Sequence, residues 1–205
     1  SVGFQLIYCY KGWVDLVYED QGPPFRLEAG NCVIQPPEIR HRVLFASEDL
    51  EVIEIGVPAE HITTIDHSMD LPTQHIRPDR LFEGQRFVHY KANETEWRPF
   101  RLPGFVARDT MICANTGAVA GVQVVKPGSG RPVWASHTSD IHFTFVLHGQ
   151  LTLQSKEQTA QRLLAGDAFV IPPDMACLYS APSEDLELLE VSLPGEFDTH
   201  LEDGA

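Results

Sequence analysis

The nine residues AGNCVIQPP at Ala29–Pro37 decide the fold, because a close copy, AGDAFVIPP, stands at Ala165–Pro173. The two stretches are 136 residues apart, and at the same spacing SEDLEVIE at Ser47–Glu54 matches SEDLELLE at Ser183–Glu190. Several matches in one register do not arise by chance, and such self-similarity is the sign of a repeated structural unit. The sequence therefore predicts two homologous domains.

Each copy has the pattern of β structure. Short runs rich in Val, Ile, Phe and Tyr are separated by Gly, Pro, Asp and Ser, which is typical of strands joined by turns. No stretch carries the sustained 3.6-residue periodicity of a long helix. The pattern predicts an all-β fold: a sandwich, a jelly roll or a barrel.

We place an N-terminal domain at residues 1–58, a connection at 59–86, a C-terminal domain at 87–195 and an acidic tail at 196–205. In the second copy, residues 87–137 precede the point that matches Ser1, and the first copy has no equivalent of them. Either the first domain lacks its N-terminal strands in this chain or other segments replace them. We favour missing strands, because exposed sheet edges are normally covered.

Two motifs in each copy carry the resemblance to a known family. The stretch that decides the fold continues as Gly30-x5-Pro36-Pro37-x3-His41 in one copy and Gly166-x5-Pro172-Pro173-x3-Cys177 in the other. Farther upstream, the second copy has Ala135-x-His137-x4-His142-x6-Gly149 and the first has Gln5-x6-Gly12. These patterns resemble the second cupin motif and an altered first cupin motif. The chain is thus similar to a two-domain bicupin of the conserved-barrel type, which implies two tandem jelly-roll barrels.

The resemblance also implies a metal inside a barrel, held by several imidazoles and one carboxylate. Such a set suits a divalent first-row transition metal: Fe, Mn, Ni, Cu or Zn. In the second domain, His137, His142 and Cys177 occupy ligand positions and form one candidate site. The alternative is a pocket that has lost its metal and keeps both histidines as hydrogen-bonding groups. In the first domain, His41 and Gln5 occupy ligand positions, and residues upstream of Ser1 would have to supply the others.

Strand alternation suggests what surrounds these positions. If His142 faces the barrel interior, Thr144 faces it as well, and we add Trp134 and Tyr179 as candidates for a small-molecule pocket. The opposite faces of these strands are apolar too, so both faces are buried. The sister domain, a partner subunit or both must cover the outer surface, and we expect a homodimer.

Composition narrows the partners. Asp and Glu outnumber Lys and Arg by 29 to 15, for a net charge of -14, which argues against nucleic acid and anionic membrane surfaces. No apolar run approaches the ~20 residues of a membrane helix. The four cysteines show no paired spacing and are predicted to be reduced thiols in a cytoplasmic protein.

Two functions follow from these observations. The first is a metal-dependent enzyme of the oxygenase or isomerase type that acts on a small organic molecule, with Tyr179 or Glu190 as further substrate contacts. The second is a non-catalytic ligand-binding or sensing bicupin with degenerate metal sites. The absent family ligands favour the second function, whereas the retained histidines favour the first. The fold alone does not decide between them.

Overall fold

The structure is a computed structural model that describes residues 3–59 and 63–202. It divides into two compact units: one comprises the chain up to Ala92 together with Ala114–Gly117, and the other comprises Asn93–Cys113 and the chain from Ala118 onward. Two short helical segments, Ala92–Glu94 and Ile112–Asn115, accompany the strands. Among the described residues, no helix has the length and apolar character needed to cross a membrane.

The described residues of the first unit form seven strands in two sheets. They are β1 (Phe4–Lys11), β2 (Trp13–Tyr18), β3 (Phe25–Glu28), β4 (Cys32–Ile34), β5 (His41–Ala46), β6 (Glu51–Val57) and β7 (Val88–Tyr90). One sheet has the order β6-β1-β4-β7 and the other has the order β3-β2-β5, with antiparallel pairing throughout. Side chains that point between the sheets form an apolar core around Val14, Leu16 and Leu27.

The second unit, as far as residue 202, forms eleven strands, also in two sheets. They are β8 (Arg98–Pro99), β9 (Phe105–Asp109), β10 (Gly121–Pro127), β11 (Ala135–His137), β12 (Ile141–His148), β13 (Gln150–Ser155), β14 (Gln161–Leu164), β15 (Ala168–Val170), β16 (Cys177–Ser180), β17 (Glu187–Leu193) and β18 (Thr199–Leu201). The sheet orders are β15-β12-β17-β10-β9-β8 and β14-β13-β16-β11-β18. The core lies between the sheets around Val125, Leu151 and Leu188.

The predicted repeat is confirmed strand by strand, and with it the all-β class of tandem jelly-roll domains. Strands β1 to β6 recur as β12 to β17, and the cross-strand register recurs as well: Ile7 lies opposite Glu54 as Thr144 lies opposite Glu190. Each long strand then meets a glycine with positive φ, Gly12 at 68° and Gly149 at 69°. A Cβ at either glycine would collide with the Ser47 or Ser183 side chain, so the copies keep Gly for the same two reasons.

The copies differ at their edges. In the second unit β10 pairs with β17 and β11 pairs with β16, whereas the matching edges of β6 and β5 in the first unit carry no paired strand among residues 3–59 and 63–202. The first domain therefore has fewer strands than its sister, as predicted. Val43 and Phe45 on β5 are exposed as a result, at 59% and 70%.

Two predicted domain limits differ from the structure. The predicted start of the second domain, residue 87, precedes β7, yet β7 pairs with β4 of the first unit. Residues up to Ala92 belong to that unit because this edge of β4 accepts a strand that lies later in the chain. The predicted acidic tail is also partly ordered into the second unit, since β18 pairs with β11 across Ala135–His137.

Candidate functional site

A charged cluster, hereafter the Arg101 cluster, lies inside the second unit and consists of Arg101, His142 and Glu190. His142 projects from β12 and Glu190 from the neighbouring β17, and both are buried. Arg101 follows β8 in the loop that leads to β9 and reaches the two side chains from outside the strands. Its side chain is 20% exposed, whereas that of Glu190 is 6% exposed and that of His142 is fully buried.

Short distances join the three side chains. Arg101 Nη2 lies 2.9 Å from Glu190 Oε2 and 2.8 Å from His142 Nε2, and Glu190 Oε2 lies 3.2 Å from His142 Nε2. A guanidinium only donates hydrogen bonds, so Nε2 of His142 accepts from it and the imidazole proton sits on Nδ1. The cluster is therefore an Arg–Glu ion pair whose cation also donates to a histidine.

His137, on β11, packs beside this cluster. Its ring stacks on that of His142 with centroids 4.4 Å apart, and Phe197 contacts both rings edge-on at 5.9 and 5.8 Å. His137 Nε2 lies 3.1 Å from the carbonyl oxygen of Ile171, which is an acceptor only, so Nε2 carries the proton. The two histidines that the sequence singled out are thus neighbours.

The charges of the cluster set its protonation states. Burial raises the pKa of Glu190, but the charge of Arg101, together with the contact to His142, outweighs burial and lowers that pKa to about 2. Burial, together with His142 and Arg101, lowers the pKa of His137 to about 4. At neutral pH the Glu190 carboxyl group is therefore ionised, and His137 is neutral.

Two buried imidazole nitrogens near this cluster, Nδ1 of His137 and Nδ1 of His142, have no hydrogen-bond partner among the described residues. The Thr144 and Tyr179 hydroxyls, also buried there, interact with each other. Burial raises the pKa of Tyr179 far above its usual value, so the phenol stays protonated. Unpaired buried polar groups are costly, and a bound molecule or ordered water satisfies such groups. These atoms are the polar groups of the interior that a bound molecule or a water could meet.

The residues present do not fit a metal. Among the residues that the structure describes, no group of three or more His, Cys, Asp and Glu side chains is arranged to hold an ion. The Nε2 atoms of His137 and His142 are both engaged, and a guanidinium, which repels cations, lies against His142. Nδ1 of each imidazole is left, and that of His142 carries the proton, so the pair supplies fewer than the three or four protein ligands that such sites use.

Cys177, the third predicted ligand, lies in the apolar core of the second unit with Ile171, Leu151 and Tyr179. Burial raises the pKa of its thiol to about 11, so it is protonated at neutral pH, whereas a metal binds the thiolate. The structure therefore does not bring Cys177 into one ligand set with the histidines.

The candidate ligands of the first unit are also engaged elsewhere. Gln5 donates from Nε2 to Glu54 Oε1 at 2.9 Å, which repeats the pairing of His142 with Glu190. His41 is exposed at the start of β5, where its ring stacks on Tyr18 with centroids 5.5 Å apart. Neither residue joins a group of metal ligands among residues 3–59 and 63–202.

The predicted pocket residues have different positions. Thr144 and Tyr179 are buried inside the second unit, as expected from strand alternation. Trp134 is half-buried, and its ring lies 5.7 Å from the exposed ammonium of Lys156, a contact at the surface of the unit. The sequence motifs did not identify Arg101, because it lies in the part of the second copy that has no counterpart in the first.

Comparisons with known proteins agree with this architecture. Residues 121–192 match the family model described as cupin domain. No curated protein matches the sequence.

Three solved structures share the fold over nearly the whole chain. Protein Ylba from E. coli is 12% identical, with a TM-score of 0.65 over 94% of this chain and 68% of its own. Salicylate 1,2-dioxygenase from Pseudoaminobacter salicylatoxidans, solved with gentisate, is 14% identical, with a TM-score of 0.68 over 98% of this chain and 67% of its own. A mutant of oxalate decarboxylase from Bacillus subtilis is 12% identical, with a TM-score of 0.59 over 97% of this chain and 65% of its own. At these identities the similarity shows the fold alone.

Proposed function

We propose that this chain, a cupin-superfamily protein with two tandem barrels, binds a small organic monoanion at the Arg101 cluster of its second unit, without a metal ion. The observation that carries the proposal is the 2.8 Å contact between Arg101 Nη2 and His142 Nε2. The guanidinium occupies the Nε2 side of His142, where a metal ion would otherwise bind. Because it is also partly exposed, it forms the entrance to the buried polar interior.

Arg101 has donors to spare. Nη2 is committed to His142 and Glu190, but Nη1 makes only a long contact of 3.4 Å with the Thr199 hydroxyl. The Nε–Nη2 edge of the guanidinium already faces the Glu190 carboxylate, with Nε 3.4 Å from Oε1, so Nη1 is the nitrogen that remains for a ligand carboxylate. The free Nη1 hydrogens and the Thr199 hydroxyl are therefore the groups that we assign to the ligand.

Aromatic rings strengthen this anchor. The guanidinium carbon of Arg101 lies 4.9 Å from the Phe100 ring centre and 5.2 Å from that of Phe197. Both rings exclude water from the cation, and ionic hydrogen bonds are stronger where the local dielectric is low. Because Glu190 already balances the charge of Arg101, the cluster offers hydrogen-bond donors rather than a net positive charge, and it repels a dianion more strongly than a monoanion.

Metal-dependent oxygenase or isomerase chemistry is the other function that the resemblance implies. It needs three or four protein ligands with an open position, whereas the described residues offer no such group of ligands and place a guanidinium against His142. We therefore propose the non-catalytic ligand-binding function, in which His137 and His142 serve as hydrogen-bonding groups.

The test is a calorimetric titration of chelator-treated protein with benzoate and with benzamide, its uncharged isostere. We expect benzoate to bind, and benzamide to bind at least tenfold more weakly, because only the anion pairs with Arg101. Arg101→Lys, which keeps the charge but loses the fork, and Arg101→Gln should both weaken benzoate binding, whereas the exposed Arg131→Gln should not. Equal binding of the two compounds, or binding that requires an added metal, would overturn the proposal.

A further inference from the structure

We infer that the second unit has another ligand site, a cleft between its two sheets that takes a small, uncharged, largely apolar molecule of about the size of phenol. This site, hereafter the seam cleft, has a volume of about 170 Å³. Its wall is apolar and includes Leu153, Ile171, Pro172 and Met175. The inference does not depend on the Arg101 cluster, none of whose residues lines the cleft.

The repeat explains why the cleft is open. Strands β14 and β15 are the outer strands of their sheets, and the cleft lies where they approach. In the first unit, β4 is the counterpart of β15, and β7 covers its edge by pairing Val88 with Ile34. Ile34 is fully buried, whereas its counterpart Val170 is 59% exposed and lines the cleft. Among the described residues no strand covers β15, so the seam remains accessible.

The lining defines the class of ligand. Ser155, Gln158, Thr159 and Gln161 form a polar rim, and no charged side chain of the described residues lines the cleft. A charged molecule would lose hydration there without gaining a counter-charge, which is costly. An apolar cavity of roughly 150 Å³ accommodates one benzene ring, so the seam cleft suits one ring whose single polar group meets the amides and hydroxyls of the rim.

Cys177 lies against this cleft and provides a reporter. Cys177 is 5% exposed, and it is one of the residues that line the cleft. A molecule that occupies the cleft therefore blocks the approach of a small thiol reagent to Cys177. Cys113, which is half-buried and does not line the cleft, is the internal control.

The experiment measures the rates at which methyl methanethiosulfonate modifies Cys177 and Cys113 in the full chain, by peptide mass spectrometry, with and without phenol. We expect saturating phenol to slow modification of Cys177 several-fold and to leave Cys113 unchanged. The cation phenyltrimethylammonium should protect neither thiol.

One rim variant and one control variant make the test specific. Gln158→Trp should fill the mouth of the cleft and abolish the effect of phenol, whereas Gln74→Trp, at an exposed site in the first unit, should leave it intact. The inference is overturned if phenol slows both thiols equally or neither, or if it still protects Cys177 in Gln158→Trp. It is also overturned if Cys177 of the folded protein resists the reagent without phenol.

Discussion

Replacing Arg101 by Met should destabilise the second unit strongly and in a pH-dependent way. In the wild type the pKa of Glu190 is about 2, against 4.5 for the unperturbed group. A difference of this size corresponds to roughly 3 kcal/mol of preference for the ionised carboxylate in the folded state. The variant removes the guanidinium that supplies the largest part of this preference, and it leaves a carboxylate that is almost fully buried.

The expected cost at pH 8 is about 3–5 kcal/mol, the usual penalty for stranding one partner of a buried ion pair. Without Arg101, burial dominates and raises the pKa of Glu190 above its unfolded value. A group with a raised folded pKa contributes stability at low pH and loses it as pH increases. The cost of Arg101→Met should therefore shrink between pH 8 and pH 5, because the folded variant takes up a proton.

The assay is urea unfolding followed by tryptophan fluorescence in a Trp13→Phe background, so that the remaining tryptophans, Trp97 and Trp134, report on the second unit. The double variant Arg101→Met/Glu190→Gln should recover most of the loss, since no charge is stranded. A cost of Arg101→Met below about 1 kcal/mol that does not depend on pH, as for an exposed ion pair, would refute the reasoning.

Three further predictions concern the same unit. The folded pKa of His137 lies near 4, below that of a free histidine, so the wild type should lose stability as pH falls from 6.5 towards 4. His137→Gln should lose less stability between pH 7 and pH 5, as measured by urea unfolding at both pH values. Phe197→Ala should cost about 1–2 kcal/mol by thermal unfolding, because the half-buried ring covers both histidines; no change in the unfolding midpoint would contradict this. Gly166→Ala should cost about 1 kcal/mol, because its backbone has a positive φ. Gly149→Ala should destabilise the unit more, since it also brings a Cβ to 2.7 Å from Leu186 N. Equal unfolding midpoints would contradict the steric argument.

The fold was predictable because the repeat constrains it twice. A single strand pattern leaves register and partner undecided, but two copies with one spacing imply the same pairing in both. The match of Ser47–Glu54 with Ser183–Glu190 places Glu54 and Glu190 at equivalent positions. In the structure each lies opposite the same site of its neighbouring strand, Ile7 or Thr144.

The candidate site was predictable only in part. Alternation along β12 correctly placed His142 and Thr144 on the buried face. Arg101 was not predictable, because it comes 41 residues before His142 and lies in a loop that the first copy does not repeat. Nothing local to Arg101 indicates which buried carboxylate it meets, since that pairing is decided by how β8 and β9 join the sheet.

The motif position of Cys177 was also insufficient to assign its role. The spacing places it where the family has a histidine, but its side chain packs among Ile171, Leu151 and Tyr179. A thiol is small and apolar enough to join a core, so the neighbours decide whether it acts as a ligand. The strand that pairs with β4 was not predictable either, because β7 comes from a segment that the sequence analysis assigned to the other domain.

The most direct test of the account is a crystal structure of the protein soaked with 4-bromobenzoate, in which the anomalous signal of bromine locates the ligand. The account predicts a carboxylate within hydrogen-bonding distance of Arg101 Nη1 and the Thr199 hydroxyl, with Arg101 still paired to Glu190. A metal ion held by His137 and His142, with Arg101 displaced and the carboxylate bound to the metal, would contradict it.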